Sequence, residues 1–332
     1  ILQAVELRGS LSAACDQMQI SYRHAWGVLH DAEQLFGQPL MHMERGKGTL
    51  LTPLGQKLLW ADRKAQARLQ PDLQAVASQM LREVHTLLNP QQVNLRMDSG
   101  HCFAVAAMHQ QLLSQNLCVE INYSGTRSAL DLLTHGHLDL AAFQWLTTWP
   151  QPIVYQSLLM NPNLALYCLA KRTQGLMFKA NNPMGIRDLR DLTRKDLRFV
   201  QGQVGSYNTK MLNTLLRAQG IDPTDIPHPL PPENNHRAIA AVVASGEADV
   251  GFGLQAAAAE YNLDFLPTQE EWMVLGLRTS AAMQACQDEV LQTLQSAALR
   301  LQLDRLAGYC TQHTGQRIQA VLEHQTSPAG VQ

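Results

Sequence analysis

The chain has 332 residues, of which 45% are apolar and 16% are charged, and its formal net charge is −2. These values predict two or three folded units with hydrophobic cores and exclude a disordered or fibrous chain. No stretch approaches the ~18–20 consecutive apolar residues of a membrane helix, and no basic leader with an apolar centre is present. The six cysteines are scattered without a C-x-x-C pair, which favours reduced thiols over disulfides or a zinc site. We therefore expect a cytoplasmic protein that does not contact membranes.

The first 60 residues have the spacing of short helices followed by a hairpin. A first helix stops at Gly9, Ser10 caps a second helix, and Ser21 caps a third helix that ends at Gly37. The third helix is expected to pack through Ala25, Val28, Leu29, Ala32 and Leu35, and Trp26 is assigned to the core rather than to base stacking. Residues 40–51 predict a β-hairpin, and Thr52-Pro53 opens the next helix. This order predicts a winged helix-turn-helix.

The motifs of this region resemble the DNA-binding domain of LysR-type transcription regulators. The resemblance rests on Gly-Ser-x-Ser-x-Ala-Ala over Gly9–Ala14, on Ser21, and on Leu-Thr-x-x-Gly over Leu51–Gly55. Ser21-Tyr-Arg, Ala25-Trp and the Gly-Lys-Gly wing are more similar to molybdate-responsive repressors.

A winged helix-turn-helix implies double-stranded DNA as the partner. First-turn side chains of a recognition helix reach base edges in the major groove, and a basic wing tip suits phosphates. Residues 1–70 contain eight Lys and Arg against six acids, which supports DNA binding only weakly. The alternative is that these side chains belong to an ordinary solvated surface. The expected DNA-binding residues are Ser21, Tyr22, Arg23, His24, Arg45 and Lys47.

Helix formers dominate from Thr52 to about Leu88, broken only by Pro71. Apolar residues recur at steps of three and four with polar flanks, a pattern typical of a helix that pairs with a second copy of itself. The expected dimerisation residues are Leu69, Leu73, Val76 and Met80, continued by Val84 and Leu87. We expect a homodimer or homotetramer, and the alternative is packing against the chain's own second domain.

After residue 92 the chain alternates strands and helices, which predicts α/β units with mostly parallel sheets. The length of this region favours two lobes, with the chain crossing between them near Asn161–Leu164 and Pro267–Glu271. The expected domains are a winged helix-turn-helix at 1–60, a linker helix at 61–90 and a two-lobed α/β effector domain at 91–332. Lobe I takes 91–163 and 267–332, and lobe II takes 164–266.

This region resembles the periplasmic-binding-protein-like effector domains of LysR-type regulators. It is similar above all to the subgroup fused to molybdate-type helix-turn-helix domains or to molybdopterin-biosynthesis proteins. The matching runs lie at Lys171–Leu189, Phe199–Asp222, His236–Ala258 and Leu306–Gln316. The chain departs from the subgroup at Gln201-Gly202 and at Gly205–Thr209, where two arginines of the subgroup are missing.

Three loops follow a strand, open a helix and carry hydroxyl side chains. Backbone N–H groups at a helix start favour negative charge, so the loops predict a site for a small anion such as molybdate, tungstate or a carboxylate. Ordinary helix capping is the alternative. The expected effector-binding residues are Ser99, Gly100, His101, Ser124, Gly125, Thr126, Ser206, Tyr207, Asn208 and Thr209.

No catalytic motif, no metal site and no covalently bound cofactor is predicted from the sequence. The sequence therefore predicts a DNA-binding regulator of LysR type, not an enzyme, that responds to a small anionic effector. By resemblance, its target genes concern molybdenum metabolism or a molybdoenzyme. The alternative is a solute-binding or cofactor-handling protein whose helical head contacts other proteins.

Overall fold

A computed structural model describes residues 1–44, 48–89, 94–146, 153–227, 230–279 and 284–326. The chain divides into two compact units, Ile1–Ala67 and Arg68–Gln332. Each unit has its own hydrophobic core. One helix runs without interruption through the division between the two units.

The first unit is the predicted array of short helices and a hairpin. Ser10 Oγ accepts the N–H of Ala13, and Ser21 Oγ accepts the N–H of His24 at 3.2 Å, so both predicted caps are formed. The elements are α1 (Leu2–Arg8), α2 (Leu11–Met18), α3 (Tyr22–Phe36), β1 (Met41–Glu44), β2 (Gly48–Leu51) and the start of α4 (Pro53–Leu88).

The third helix buries a narrower face than its apolar spacing predicts. Ala25 and Leu29 are buried, whereas Val28 and Leu35 are exposed. Trp26 is 52% exposed, so its assignment to the core was wrong. The physical reason is that so small a helical unit covers only a narrow face of its third helix, so a large apolar side chain beside that face stays at the surface.

The hairpin of the first unit is tied to its neighbours by backbone contacts. The N–H of Thr49 donates to the Gly9 carbonyl at 2.7 Å, which fixes the hairpin against the turn between α1 and α2. A Cβ atom at Gly55 would collide with the Leu40 carbonyl oxygen, so the start of α4 requires a glycine there. The tip of the hairpin, with Arg45 and Lys47, lies outside the described residues.

The second unit begins on α4. The sequence indicates a break at Pro71, but the helix continues through this residue to Leu88. Its strands are β3 (Leu95–Ser99), β4 (Val119–Asn122), β5 (Leu140–Trp145), β6 (Leu164–Phe178), β7 (Phe199–Val200), β8 (Val250–Leu254), β9 (Asp264–Arg278) and β10 (Tyr309–Cys310). They form one sheet in the order β4-β3-β5-β9-β6-β8-β7, with β10 paired to β6.

Helices pack on both faces of the sheet and enclose two hydrophobic clusters in each of two lobes, lobe I and lobe II. The helices of lobe I are α5 (Phe103–Ser114), α6 (Thr126–Thr134), α7 (Ile153–Met160), α11 (Gln284–Leu294), α12 (Ala297–Asp304) and α13 (Ile318–Thr326). The helices of lobe II are α8 (Tyr207–Ala218), α9 (His236–Ser245) and α10 (Gln255–Glu260).

Two antiparallel strands, β6 and β9, carry the chain from one lobe to the other. Residues of β6 up to Ala170 pack in lobe I, and those from Leu176 pack in lobe II. The crossing therefore lies inside β6, some way after the position at 164 where the sequence places it. The other expected crossing, Pro267–Glu271, lies inside the single strand β9, which passes through the boundary without a turn.

The apolar stripe of α4 faces solvent in the second unit. Leu69, Leu73, Val76 and Met80 are between 53% and 65% exposed. A stripe of this kind costs free energy unless it is covered, and the pairing of two copies through it stays a prediction.

Candidate functional site

The first turn of α3 presents polar side chains to solvent. Ser21, Tyr22, Arg23 and His24 are all exposed, and Ser21 holds the turn by its capping bond. The structure thus places all four predicted residues of this helix on one accessible surface. An arginine in this place has the two parallel N–H donors that match a guanine edge.

A cleft of about 1250 Å³ lies between the two lobes of the second unit. Helix α6 lines it on the lobe I side, and α8 with the turn before it lines it on the lobe II side. Among the predicted effector residues, the cleft is lined by Gly125, Thr126, Ser206 and Tyr207. The charged residues of the lining are Arg127 and Asp131 on α6 and Lys210 on α8.

The loop before α8 is held by its own hydroxyl groups. Thr209 Oγ1 lies 3.0 Å from the Gly202 carbonyl and 2.9 Å from the Gln203 carbonyl, so its proton is donated within the loop. Ser206 Oγ accepts the N–H of Thr209 as the helix cap. Asn208 Nδ2 donates to the Phe252 carbonyl, which anchors the loop to β8. These side chains shape the loop rather than point free donors at the cleft.

The two loops of lobe I are joined through a single glutamine. Thr126 Oγ1 donates to Gln144 Oε1 at 2.6 Å, and Gln144 Nε2 lies beside Gly100. Ser99 is fully buried and donates to the Gly100 carbonyl. Ser124 is held through its N–H by the Asp98 carboxylate. Among the described residues, no side chain caps α6, whose cap residue is Gly125, which lines the cleft.

A buried ion pair, which the sequence reading missed, lies where the chain crosses between the lobes. Arg172 on β6 and Glu271 on β9 are partners in the register, and both are almost completely buried. Arg172 Nε and Gln174 Nε2 each donate to Glu271 Oε1 at 2.7 Å. Arg172 Nη1 also contacts Cys102 Sγ. The partners are 99 residues apart, so no local spacing in the sequence could indicate the pair.

Two histidines near this ion pair are neutral at pH 7. Burial, followed by the charge of Arg237, lowers the pKa of His101 to about 4. Burial, followed by the charges of Arg172 and His101, lowers the pKa of His236 to about 3. His101 therefore supplies no positive charge to an anion, although its position at the start of α5 suggested that role.

Side chains of α4 bond to both lobes. On the lobe II side, Arg68 donates two bonds to the buried Glu233 carboxylate, one of them at 2.9 Å, and this hydrogen bonding raises the pKa of Arg68. On the lobe I side, Ser78 Oγ accepts the Ile121 N–H at 3.1 Å and lies 3.0 Å from the Ile121 carbonyl. The helix thus spans the line along which the lobes meet.

The glutamate that holds α4 is also part of the cleft loop. Glu233 bridges to Gly202, its N–H donates to the Gln201 carbonyl, and its carbonyl accepts the Gln203 N–H. Gly202 and Gln203 are the residues whose carbonyls hold Thr209. A continuous chain of hydrogen bonds therefore joins the lobe II wall of the cleft to Arg68 on α4. The sequence gives no local signal for Glu233, whose partner on α4 is 165 residues away.

Over the part of the chain that the structure describes, no three acidic, histidine or cysteine residues are grouped to hold a metal ion. Within the same ranges, no helix has both the length and the hydropathy to cross a membrane.

The fold and cleft define a two-lobed α/β binding domain preceded by a small helical unit. A family model described as PBP superfamily domain matches residues 107–295, more than half of the chain. The chain belongs to the PBP superfamily.

The chain is 28% identical over 201 residues to the uncharacterized protein YvgK of Bacillus subtilis (strain 168). The match covers 59% of this chain and 64% of that relative, so the chain spans less than two thirds of the relative's length.

Among solved structures, the chain is similar to an H2O2-bound OxyR C206S mutant of Corynebacterium glutamicum, with 17% identity and a TM-score of 0.47. That match covers 91% of this chain and 92% of the other. It is also similar to full-length BenM, with 16% identity, a TM-score of 0.43 and coverage of 88% and 92%.

The neutral histidines predict a stability that depends on pH. The unfolded chain takes up protons at about pH 6.5, whereas the folded histidines do so near pH 4 and pH 3, so protons favour unfolding between these values. Each neutral histidine contributes fully to the free energy of unfolding above pH 6.5, and this contribution is lost as the pH falls towards the pKa of the folded state. Urea unfolding at pH 7 and pH 5 should show a loss on the order of 2 kcal/mol for each histidine.

The double variant His101→Gln, His236→Gln serves as the comparison. Its free energy of unfolding should fall less steeply over the same pH interval, because the two titrating groups are gone. An unchanged pH slope in the double variant would show that other groups control the acid sensitivity.

Proposed function

We propose that the chain is a DNA-binding transcription regulator of LysR type whose affinity for DNA responds to a small molecule held in the cleft between the lobes. The observation that carries the proposal is the exposed first turn of α3, capped by Ser21 and followed by the hairpin, in a chain with a PBP domain. A recognition helix next to a wing is the arrangement that places side chains in the major groove and along phosphates.

The cleft supports the regulatory half of the proposal. Domains with two α/β lobes bind ligands outside the carboxyl ends of their strands, where these walls lie. A ligand that contacts both α6 and α8 favours one spacing of the lobes over others, and so shifts a population.

The bonds of α4 provide a physical route from the cleft to the first unit. Because α4 is bonded to lobe I through Ser78 and to lobe II through Arg68, a change in lobe spacing must move the helix or break one of these contacts. The same helix is continuous with the first unit. Pairing of two copies through the exposed stripe, as a dimer or a tetramer, would present two heads to two half-sites on DNA.

We propose further that the effector carries an anionic group. The uncapped start of α6, with Arg127 on α6 and Lys210 on α8, supports this assignment. A cleft of about 1250 Å³ is larger than a tetrahedral oxyanion requires, since pockets for small organic ligands measure roughly 300–1,000 Å³. The volume favours an organic carboxylate or phosphate, while the helix-turn-helix resemblance favours molybdate or tungstate and genes of molybdenum metabolism.

The DNA-binding role is tested at the first turn of α3. Arg23→Ala should weaken binding to the preferred duplex by about 1–3 kcal/mol and relax the preference at one base pair. Lys47→Ala, at the predicted wing tip, should weaken all duplexes alike and flatten the salt dependence, because a phosphate contact releases counterions. Fluorescence anisotropy with specific and random duplexes gives both values. Equal losses on the two duplexes for Arg23→Ala would contradict its role as a base reader.

The anionic effector is tested by thermal unfolding of the full chain with molybdate, tungstate, sulfate and a set of small carboxylates and phosphate esters. We expect at least one anion to raise the unfolding temperature, and Lys210→Ala to weaken its binding by about 1–3 kcal/mol through loss of a charged partner. Lys195→Ala, in the same lobe but outside the cleft lining, should bind like the parent. Stabilisation by neutral compounds alone would contradict the anionic assignment.

The route through α4 is tested by Glu233→Gln, which keeps the size of the side chain but removes the charge that pairs with Arg68. The ligand should still bind the cleft, whereas its effect on DNA affinity, about 5- to 150-fold for coupled sites, should largely disappear. Glu270→Gln is the matched control, because Glu270 pairs with Lys171 on β6. A ligand response in Glu233→Gln equal to that of the parent would show that the signal takes another path.

A further inference from the structure

The exposed face of α3 continues beyond its first turn with residues to which no role has yet been assigned. Trp26, Gly27 and His30 lie three, four and seven residues after Arg23, so the four residues share one face of the helix. The opposite face packs in the core through Ala25 and Leu29. The face that carries Arg23 is thus continued by an exposed tryptophan, a glycine and a histidine.

Packing among the described residues does not require a glycine at position 27. A glycine inside a helix costs about 1 kcal/mol relative to alanine. A Cβ atom at Gly27 would meet no atom of the described residues within 4 Å, and the backbone there is not left-handed. Gly55 is the contrast in the same unit, because there a Cβ atom would collide with the chain itself. The space above Gly27 therefore suits a partner that approaches the helix backbone closely.

Trp26 is exposed but ordered by a neighbour on the same face. Its ring is stacked on His30 with centroids 4.8 Å apart and planes inclined by 8°. The stack fixes the orientation of the tryptophan ring before any partner arrives, which reduces the entropy lost on binding. A preoriented apolar ring beside an arginine on a recognition helix matches a thymine methyl group next to a hydrogen-bonding base edge.

We propose that Trp26 and Gly27 read DNA together with Arg23: Gly27 admits a base edge or sugar close to the backbone of α3, and Trp26, held by His30, packs against a thymine 5-methyl group. This inference rests on the proposed DNA-binding function and adds specificity residues to it. DNA is favoured over a protein partner because the ring and the glycine share their face of α3 with the exposed cation Arg23, whose guanidinium suits base edges.

The variant Gly27→Ala separates a DNA-binding role from a structural one, since it should stabilise the helix while it weakens DNA binding. The duplex is selected from a randomised library with the full chain. Alanine should slow amide exchange in α3 by about fivefold, because it favours the helix, while the Kd for the selected duplex rises by about tenfold. Leu35→Ala, an exposed position of the same helix away from this face, is the control and should leave the Kd unchanged. Slower exchange with an unchanged Kd for Gly27→Ala would overturn the close approach.

The methyl contact is tested by replacing each thymine of the selected duplex with uracil. For the parent chain, at least one replacement should raise the Kd by about fourfold, the effect of one buried methyl group. In Trp26→Ala the same replacement should have no effect, because the ring that covers the methyl group is absent. A parallel loss in both chains, or no sensitive thymine, overturns the contact. A library that yields no preferred duplex contradicts the DNA-binding function itself, and with it this inference.

Discussion

The crossing of β6 and β9 between the lobes, fixed by the buried pair of Arg172 and Glu271, is the constraint on which the second unit depends. Two charges removed from water are tolerated only with good geometry and further hydrogen bonds, and here Gln174 and Cys102 contribute them. Because the two residues are register partners, slipping one strand by a single residue would leave a charge buried and unpaired. The pair therefore fixes the register of the two strands that pass between the lobes.

Helix α4 is joined to both lobes of the second unit by side-chain hydrogen bonds. It is bonded to lobe I at the Ile121 backbone and to lobe II at Glu233, so it is sensitive to the spacing of the lobes. Glu233 has a double function, because its backbone forms the cleft loop and its side chain holds Arg68. Under the proposed function, a ligand needs only to favour one lobe spacing in order to act on α4.

Local signals in the sequence predicted the first unit well. The caps at Ser10 and Ser21 and the opening of α4 depend on neighbouring residues, and they lie where the pattern places them. Trp26 was misassigned because apolar size indicates burial only where enough chain is available to cover it. The crossing in β6 was missed because a long apolar strand has no turn to mark a boundary. Glu233 was missed because hydrogen bonds between distant residues leave no periodicity.

The central claim of the proposed function is that ligand binding in the cleft and DNA binding by the first unit are coupled, and equilibrium linkage tests it most directly. By thermodynamic necessity, the factor by which a cleft ligand changes DNA affinity equals the factor by which DNA changes the affinity for that ligand. Calorimetry of the full chain with the active ligand, in the presence and absence of the selected duplex, measures the second factor. The account predicts a shift in ligand Kd equal to the shift in DNA Kd. An identical ligand Kd with and without DNA would contradict it.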